Sequence, residues 1–542
     1  VQIPRGFKGV FRSDEAARAL YSEGAGVFRI LPEAVALPET TEDLQTLVRW
    51  AGVTGTALVP RGAGSGMPGG NVGPGVVVDL TRGFKSAPVV SAEARTARAS
   101  AGVTYERLNA AALAHGLVLP PDPSSGAFCT IGGMAATNAA GAHTVKYGPV
   151  REWIDAIEFV TADGETARAG REDLTPRNAR TDAERRLLRD VAPFLRGHQL
   201  PLEGAPPHVR KNASGYRLVG NTDNGWVRHL LIGSEGTLGI ITAVEVRLAP
   251  RPARSATILA TLRSLDDLTQ AVEALLPLRP SALELLDRTY LDFVRAAGSA
   301  VPGGTEAVLL VELETDSRAG VAALSGIAAS VVPADDEASA RKLWDLRHLA
   351  SPILARLPDT TRSLQVVEDG CVPLPRLGEY IRGLRKIAMD CGFDIVIFGH
   401  AGDAHVHANV LADTRAADLA ARLTRCLLSA TELQLGLGGT PSGEHGDGRL
   451  RAPFLERLYG ATYVEACRRV KSAMDPGGIL NPGVKLPLPG ATPALHADAL
   501  KVGDGAPPIA PEIARMLRDI EKGARYGEDR LGLLPAPGAG LV

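Results

Sequence analysis

The sequence predicts an α+β chain of two folded domains and a tail. Three observations carry that expectation. A β-α-β pattern opens the first 250 residues, the alternation resets after the proline-flanked Arg251 to Arg254, and Pro, Gly and Ala dominate after Pro487.

From Pro32 the text PEAVALPETTEDLQTLVRWAGVTGTALVPRGAGSG reads as strand, helix and a second strand running into a glycine loop. Thr40 or Thr41 caps the helix, acidic residues fill its first turn, and Leu44, Leu47, Val48 and Ala51 form its apolar stripe. Strands at Gly75 to Leu80, Ile154 to Thr161 and Gly239 to Leu248 complete a domain of residues 1–250. In the second domain, residues 251–487, SATILATL, a helix from Asp266, ALELLD, a helix around Tyr290 to Ala297 and AVLLVELE alternate. That suggests a ferredoxin-like sheet with helices on one face. Strands at Asp394 to Phe398 and His405 to Val410 follow, joined by a glycine turn, and helices dominate from Ala416 to Met474. Residues 488–542 read as a poorly packed tail that wraps or docks onto a partner.

Composition narrows the function. At 542 residues, with 45% hydrophobic and 22% charged, the chain has the makings of a globular protein of two to four domains. Lys plus Arg (59) balances Asp plus Glu (61), so no global positive field attracts nucleic acid. Cys129, Cys371, Cys391, Cys426 and Cys467 form no CxxC, which argues against a zinc knuckle or an iron–sulfur run and suits a reducing compartment. No uncharged apolar run of about 18 residues occurs. The opening VQIPRGFKGVF lacks a signal-peptide core, so a cytoplasmic protein is expected, peripheral to a membrane only through a partner.

PRGAGSGMPGGN, Pro60 to Asn71, follows a predicted strand and is dense in glycine. A backbone without Cβ atoms can aim several N–H groups at one anion, as a phosphate cradle does. The loop is not a Walker motif, and by itself it is equally a surface turn. Three later stretches decide the reading: PPDPSSGAFCTIGGMAATNAAG (Pro120 to Gly141), the following HTVKYGPVREWIDAIEFVTADGE, and GSEGTLGIITAVEVRLAP (Gly233 to Pro250). With VPRGAGSG they resemble the FAD domain of the vanillyl-alcohol oxidase/PCMH-type flavoproteins. The match is best to the D-lactate dehydrogenase, glycolate oxidase flavin subunit and D-2-hydroxyglutarate dehydrogenase group, and it runs from about Phe11 to Leu486.

The resemblance implies a PCMH-type FAD-binding domain. Pro60, Arg61, Gly62, Ala63, Gly64, Ser65 and Gly66 would hold the pyrophosphate. Pro120, Asp122, Ser124, Gly132, Gly133, Asn138 and Gly141 would line the flavin and ribityl side, and Glu235, Gly239 and Ile240 the adenosine. Relatives that bind flavin covalently use His or Cys in the glycine loop. Ser65 and Met67 flank Gly66 here, so dissociable FAD is expected, with attachment at His143 the minor alternative. KNASGYRL, Lys211 to Leu218, resembles a family segment that packs the flavin domain. Asn481 resembles a residue returning to the flavin edge, and as a bare residue before Pro482 it is equally a turn former.

FGHAGDAHVHANV and PSGEHGDG gather His400, His405, His407, Glu444 and His445. Imidazole and carboxylate donors suit a divalent metal, zinc foremost, with manganese or iron as alternatives. Strand parity alone nominates His405 and His407 as a pair, and hydrogen bonding in a polar cleft is the plainer use of such residues. The family pattern GHxGDGNxH followed by EH instead implies metal ligands His400, His407 and Glu444, with His445 as the nearby base. Ala404 and His405 replace the pattern's Gly-Asn, which leaves His405 as an extra or substitute ligand.

The implied chemistry is oxidation of a small D-2-hydroxy acid to a 2-keto acid, with hydride transfer to flavin N5 and proton transfer to His445. Arg347, in KLWDLRHLASP, matches the family's WxxR arginine and would fork a substrate carboxylate; a surface salt bridge is its ordinary alternative. Val367 stands where dicarboxylate-specific relatives carry a lysine, which disfavours 2-hydroxyglutarate. SGEHGDGRLRAPFLERLYG resembles relatives joined to iron–sulfur modules. An iron–sulfur, flavoprotein or cytochrome chain, or a quinone, is therefore the expected acceptor, and a homo-oligomer the expected assembly. An FAD oxidase using O₂ and a non-catalytic flavoprotein subunit are the competing readings.

Overall fold

Strand-forming and helix-forming runs fall where the local signals put them. The structure is a computed structural model describing residues 2–197, 208–218, 225–301 and 303–534. Thr40 Oγ1 caps the helix Thr41–Thr54 by accepting from the Asp43 N–H, and Leu44, Leu47, Val48 and Ala51 are buried along its stripe. The helix packs on a four-stranded sheet in the spatial order Val10–Arg12, Ala34–Leu37, Val76–Asp79, Leu58–Arg61, the last three parallel. A second, antiparallel sheet runs Val89–Ser91, Thr96–Ser100, Ile240–Arg247, Ile154–Val160, Thr166–Ala169. Chain leaving Leu58–Arg61 enters the glycine loop at the edge of this domain's core.

The third sheet has eight antiparallel strands: Ser330–Ala334, Ala256–Leu262, Ala307–Leu313, Ala282–Asp287, Asp394–His400, His405–Asp413 and Thr361–Leu364 in spatial order, with Gly370–Cys371 also on His405–Asp413. The ferredoxin-like alternation thus extends into a wider sheet, and helices cover both faces rather than one. Leu265–Leu275, Leu377–Asp390 and Leu419–Gly436 lie over Ile258, Leu283, Val311 and Val406, whereas Arg288–Ala296 and Ala350–Ala355 lie over Leu259, Leu286, Val308 and Phe398. The strands show the reason: both sets of alternate residues are apolar, so each face needs a cover.

The expectation of a poorly packed tail is overturned for residues 488–534. Leu495 and Leu500 enter the second domain's core, and the helix Pro511–Lys522 buries Ile513, Leu517 and Ile520 against Leu20, Tyr21, Val35 and Leu37 of the first. Low overall hydrophobicity concealed an i, i+4, i+7 stripe long enough to dock one helix. Residues 535–542, with the closing PAPGAG, lie outside the described residues. No helix among those described is long and apolar enough to cross a membrane.

Candidate active site

A cavity of about 990 Å³ joins the glycine loop to the histidine cluster. Its first wall is backbone. Gly64 takes φ 78°, open to glycine at little cost, and the Arg61 guanidinium lies where a Gly64 Cβ would stand. A side chain at Gly62 would strike the Thr130 hydroxyl, so loop and helix Ile131–Thr137 pack without room for one.

The opposite wall comes from the third sheet. Register places Glu284, His400 and His405 side by side across three strands, with Phe398 and His407 paired in the next row of the same face. His400 Nδ1 lies 2.6 Å from Glu284 Oε1, and His407 Nδ1 lies 2.9 Å from the Glu368 carbonyl. These contacts commit both Nδ1–H groups and turn both Nε2 atoms inward, 3.3 Å apart. Glu444 Oε1 completes a triangle at 3.4 Å from each Nε2. Tetrahedral ligands about 2.0–2.1 Å from an ion are separated by about 3.4 Å, so the three donors fit a small divalent ion.

Their surroundings agree. Lys211 Nζ holds the other Glu444 oxygen at 2.8 Å, leaving Oε1 for the triangle. Burial opposes charge on Glu444, but Lys211 and His400 outweigh it and hold the carboxyl well below its usual range. Burial likewise opposes charge on His400, yet Glu284 outweighs it and raises its pKa. Five buried carboxylates (Glu284, Glu368, Asp369, Asp403, Glu444) face three buried cations (Lys211, Arg347, Arg451), with half-exposed Arg210 reaching Asp403 from outside.

His405 is not in the triangle. Its Nε2 donates to Asp369 at 2.9 Å, and its buried Nδ1, without a hydrogen-bond partner, lies 3.9 Å from Glu444 Oε2. Burial lowers its pKa to about 4, which keeps that lone pair available as a fourth donor. Ala404 takes φ 50°, the left-handed turn where the resembling pattern has glycine.

His445 stacks on His407 at 5.3 Å between ring centroids and lines the cavity. Its Nδ1 faces Glu368 at 3.4 Å and Asp369 at 3.7 Å, while its Nε2 faces Glu444 Oε1 at 3.7 Å. Burial disfavours its charge, but Asp369 and Glu368 outweigh that and raise it to about 9, favouring the ring that has accepted a proton. Arg451 fixes both acids, its Nη2 shared between the two Glu368 oxygens at 2.7 Å each and its Nη1 3.2 Å from Asp369. Arg347 projects from the helix Glu337–His348 into the same cavity, its Nε on Glu284 at 2.9 Å and its guanidinium 4.6 Å above Phe398.

Residues 32–170 match the family model for an FAD binding domain, and residues 251–484 match that for FAD linked oxidases, C-terminal domain. Glycolate oxidase subunit GlcD of Bacillus subtilis (strain 168) is 31% identical over 87% of this chain and 93% of its own length. The chain belongs to the PCMH-type FAD-linked oxidoreductases. It is related to the D-lactate dehydrogenase, glycolate oxidase and D-2-hydroxyglutarate dehydrogenase group. D-lactate dehydrogenase of Archaeoglobus fulgidus is also 31% identical, over 83% of this chain and 90% of that protein. In fold it is similar to 4-ethylphenol oxidase from Gulosibacter chungangensis (TM-score 0.63, 18% identity, 88% of this chain and 94% of that one).

For this FAD-linked oxidoreductase the cavity collects most of the expected cofactor residues: Pro60 to Gly66, Asp122, Ser124, Gly132, Gly133, Gly141, Glu235 and Gly239. Pro120, Asn138, Ile240 and Asn481 do not line it. Ile240 faces the core and its neighbour Ile241 faces the cavity. Asn138 is the left-handed cap of Ile131–Thr137 and accepts from the Arg151 N–H. Asn481 Nδ2 donates to the carbonyls of Gly70 and Glu235, both at 2.8 Å, tying the glycine loop to the Glu235 turn. The Glu235 carboxylate accepts from the Asp447 and Gly448 N–H groups and pairs with Lys485, so it anchors the GEHGDG loop.

Sequence reading missed Glu284, Glu368, Asp369 and Arg451, and it gave Lys211 only a packing role. Glu284 did carry a signal, being the one charge inside the otherwise apolar ALELL run.

His143, on the cavity wall, joins the domains: Nδ1 meets Asp122 at 2.6 Å and Nε2 meets Glu312 at 3.0 Å. Burial opposes its charge, but the two acids raise its pKa well above the ordinary value. A raised pKa stabilises fully below the unfolded value of about 6.5, and that stability is lost as pH climbs through the folded value. The flavin-free protein should therefore lose thermal stability above pH ~6.5 more steeply than His143→Gln. Parallel midpoint-against-pH curves for the two proteins would remove His143 from this role.

Proposed function

We propose that this oxidoreductase oxidises a small D-2-hydroxy acid, of the D-lactate or glycolate type, to the 2-keto acid. The carrying observation is that the His400–His407–Glu444 triangle, Arg347 and His445 face the same cavity as the glycine loop. When bound, FAD at the loop supplies a dissociable hydride acceptor, and a divalent ion on the triangle, zinc foremost and otherwise manganese or iron, supplies a Lewis acid.

The chain's own side chains do the rest. Arg347, held by Glu284 and Phe398, forks the substrate carboxylate and so orients the hydroxyl-bearing carbon. His445, in the neutral form that grows as pH rises toward about 9, accepts the hydroxyl proton, and Glu368 and Asp369 stabilise the resulting imidazolium. Val367 is buried in the apolar core and offers no cation for a second carboxylate, which supports a short substrate. Electrons then leave to an iron–sulfur, flavoprotein or cytochrome chain, or to a quinone. The name of the Bacillus relative, a glycolate oxidase subunit, supports a partner chain.

Anaerobic mixing of the FAD-loaded protein with paired D- and L-2-hydroxy acids tests the reading. D-acids should bleach the flavin band near about 450 nm, and L-acids should not. Bleaching by L-acids alone, or by none of the acids, would overturn it.

A further inference from the structure

Residues after Pro487 lie beyond both matched regions, yet they reach the cofactor cavity. Glu521, Ala524 and Tyr526 line it, and the Tyr526 ring leans on Phe128 at 5.5 Å between centroids. Behind the glycine loop the same segment adds Arg530, only 3% exposed. Its Nη1 donates to the carbonyls of Leu20 and Glu23 at 2.9 and 3.1 Å. From the loop, Arg61 Nη2 donates to that same Glu23 carbonyl at 2.8 Å. The two guanidinium carbons lie 5.4 Å (Arg61) and 6.0 Å (Arg530) from the Tyr21 ring centroid. This shared segment is bonded to the loop directly, with the Ala25 N–H donating to the Gly64 carbonyl at 3.0 Å.

Charge here does not balance. Asp79, which accepts from the Tyr21 hydroxyl at 2.6 Å, is the buried acid beside the two arginines, and Glu23 pairs with Arg29 at 2.7 Å. One positive charge is left over in a low-dielectric setting, where an unpaired charge is costly. Burial presses both arginines' pKa values down, Arg61 to about 9. An anion on the open side of the loop offsets that cost, and a pyrophosphate is the anion a cradle of this shape takes.

We propose that Arg530 is a positioning residue for FAD: with Arg61 it forms a two-guanidinium base behind the glycine loop, and the FAD pyrophosphate neutralises its excess charge. The C-terminal segment is then part of the cofactor site rather than an appendage. The inference rests on FAD binding and is independent of the hydroxy-acid substrate.

The test uses the full chain stripped of flavin and titrated with FAD by fluorescence quenching, comparing wild type with Arg530→Gln, Arg530→Met and Arg530→Lys. Gln keeps a donor for the two carbonyls, Met keeps only the stem, and Lys keeps the charge. At an effective dielectric near 20, a unit charge acting over about 10 Å corresponds to roughly tenfold in Kd. Both neutral variants should weaken FAD by at least about tenfold, and Lys should recover most of the loss. Gln binding FAD as the wild type does, or Lys binding as poorly as Gln, overturns the proposal. Wild-type apoprotein provides a check independent of variant folding: inorganic pyrophosphate alone should raise its unfolding midpoint, and an unmoved midpoint also overturns it.

Discussion

His407→Ala is expected to leave a folded, FAD-loaded protein that has lost its divalent metal and whose flavin is reduced by substrate at least about a thousandfold more slowly. His407 Nε2 is one of three donors in a triangle with edges of 3.3 to 3.4 Å, and its orientation is fixed through Nδ1 by the Glu368 carbonyl. Removing a neutral ring leaves no new buried charge, so folding should survive, whereas cutting Glu444 would take from buried Lys211 the nearer of its two carboxylates. Loss of Lewis-acid assistance worth about 4 kcal/mol corresponds to the stated factor. Elemental analysis after dialysis reads the metal, and anaerobic stopped-flow reads the flavin. Full metal content with ordinary reduction would exclude His407 as a ligand. A chelator should reproduce the defect in the wild type, and added metal should reverse it.

His445→Ala should keep both metal and FAD and still slow flavin reduction by about 10² to 10⁴, the range expected when a positioned base is removed. Its ring stacks on His407 but lies outside the triangle, and its Nδ1 side is walled by Glu368 and Asp369, themselves fixed by Arg451. Arg347 approaches from another element, so affinity for the keto-acid product should change less than about threefold if binding and proton transfer are separate tasks. Equal losses in product affinity and in reduction rate would instead make His445 a binding residue. Unchanged reduction would remove it from the mechanism.

Elements set by near neighbours were legible in advance. The helix Thr41–Thr54, its Thr40 cap and the strands around it follow from capping and apolar spacing that operate within a few residues. The histidine cluster was equally visible, but strand parity alone favoured His405 with His407 over His400 with His407. The choice depends on where Glu284, Glu368 and Glu444 arrive from three other stretches of chain to turn each ring. Asn138 and Asn481 illustrate the reverse. Both sit in the expected segments, yet their side chains serve the backbone in left-handed turns and not the cavity. In the tail, average composition hides three well-spaced apolar residues, Ile513, Leu517 and Ile520, whose burial needs a receiving surface formed some 500 residues earlier.

Local stretches of chain set the secondary elements, the glycine-rich turn and the stock of imidazoles, carboxylates and guanidiniums. Those depend on backbone freedom and on periodicities of two and 3.6, which are local properties. Long-range packing sets which lone pairs meet at 3.3 to 3.4 Å, which acid orients which ring, and that Arg530 stands behind the glycine loop. Such pairings join residues far apart in the chain, through strand register and the packing of apolar faces, and no local pattern encodes them.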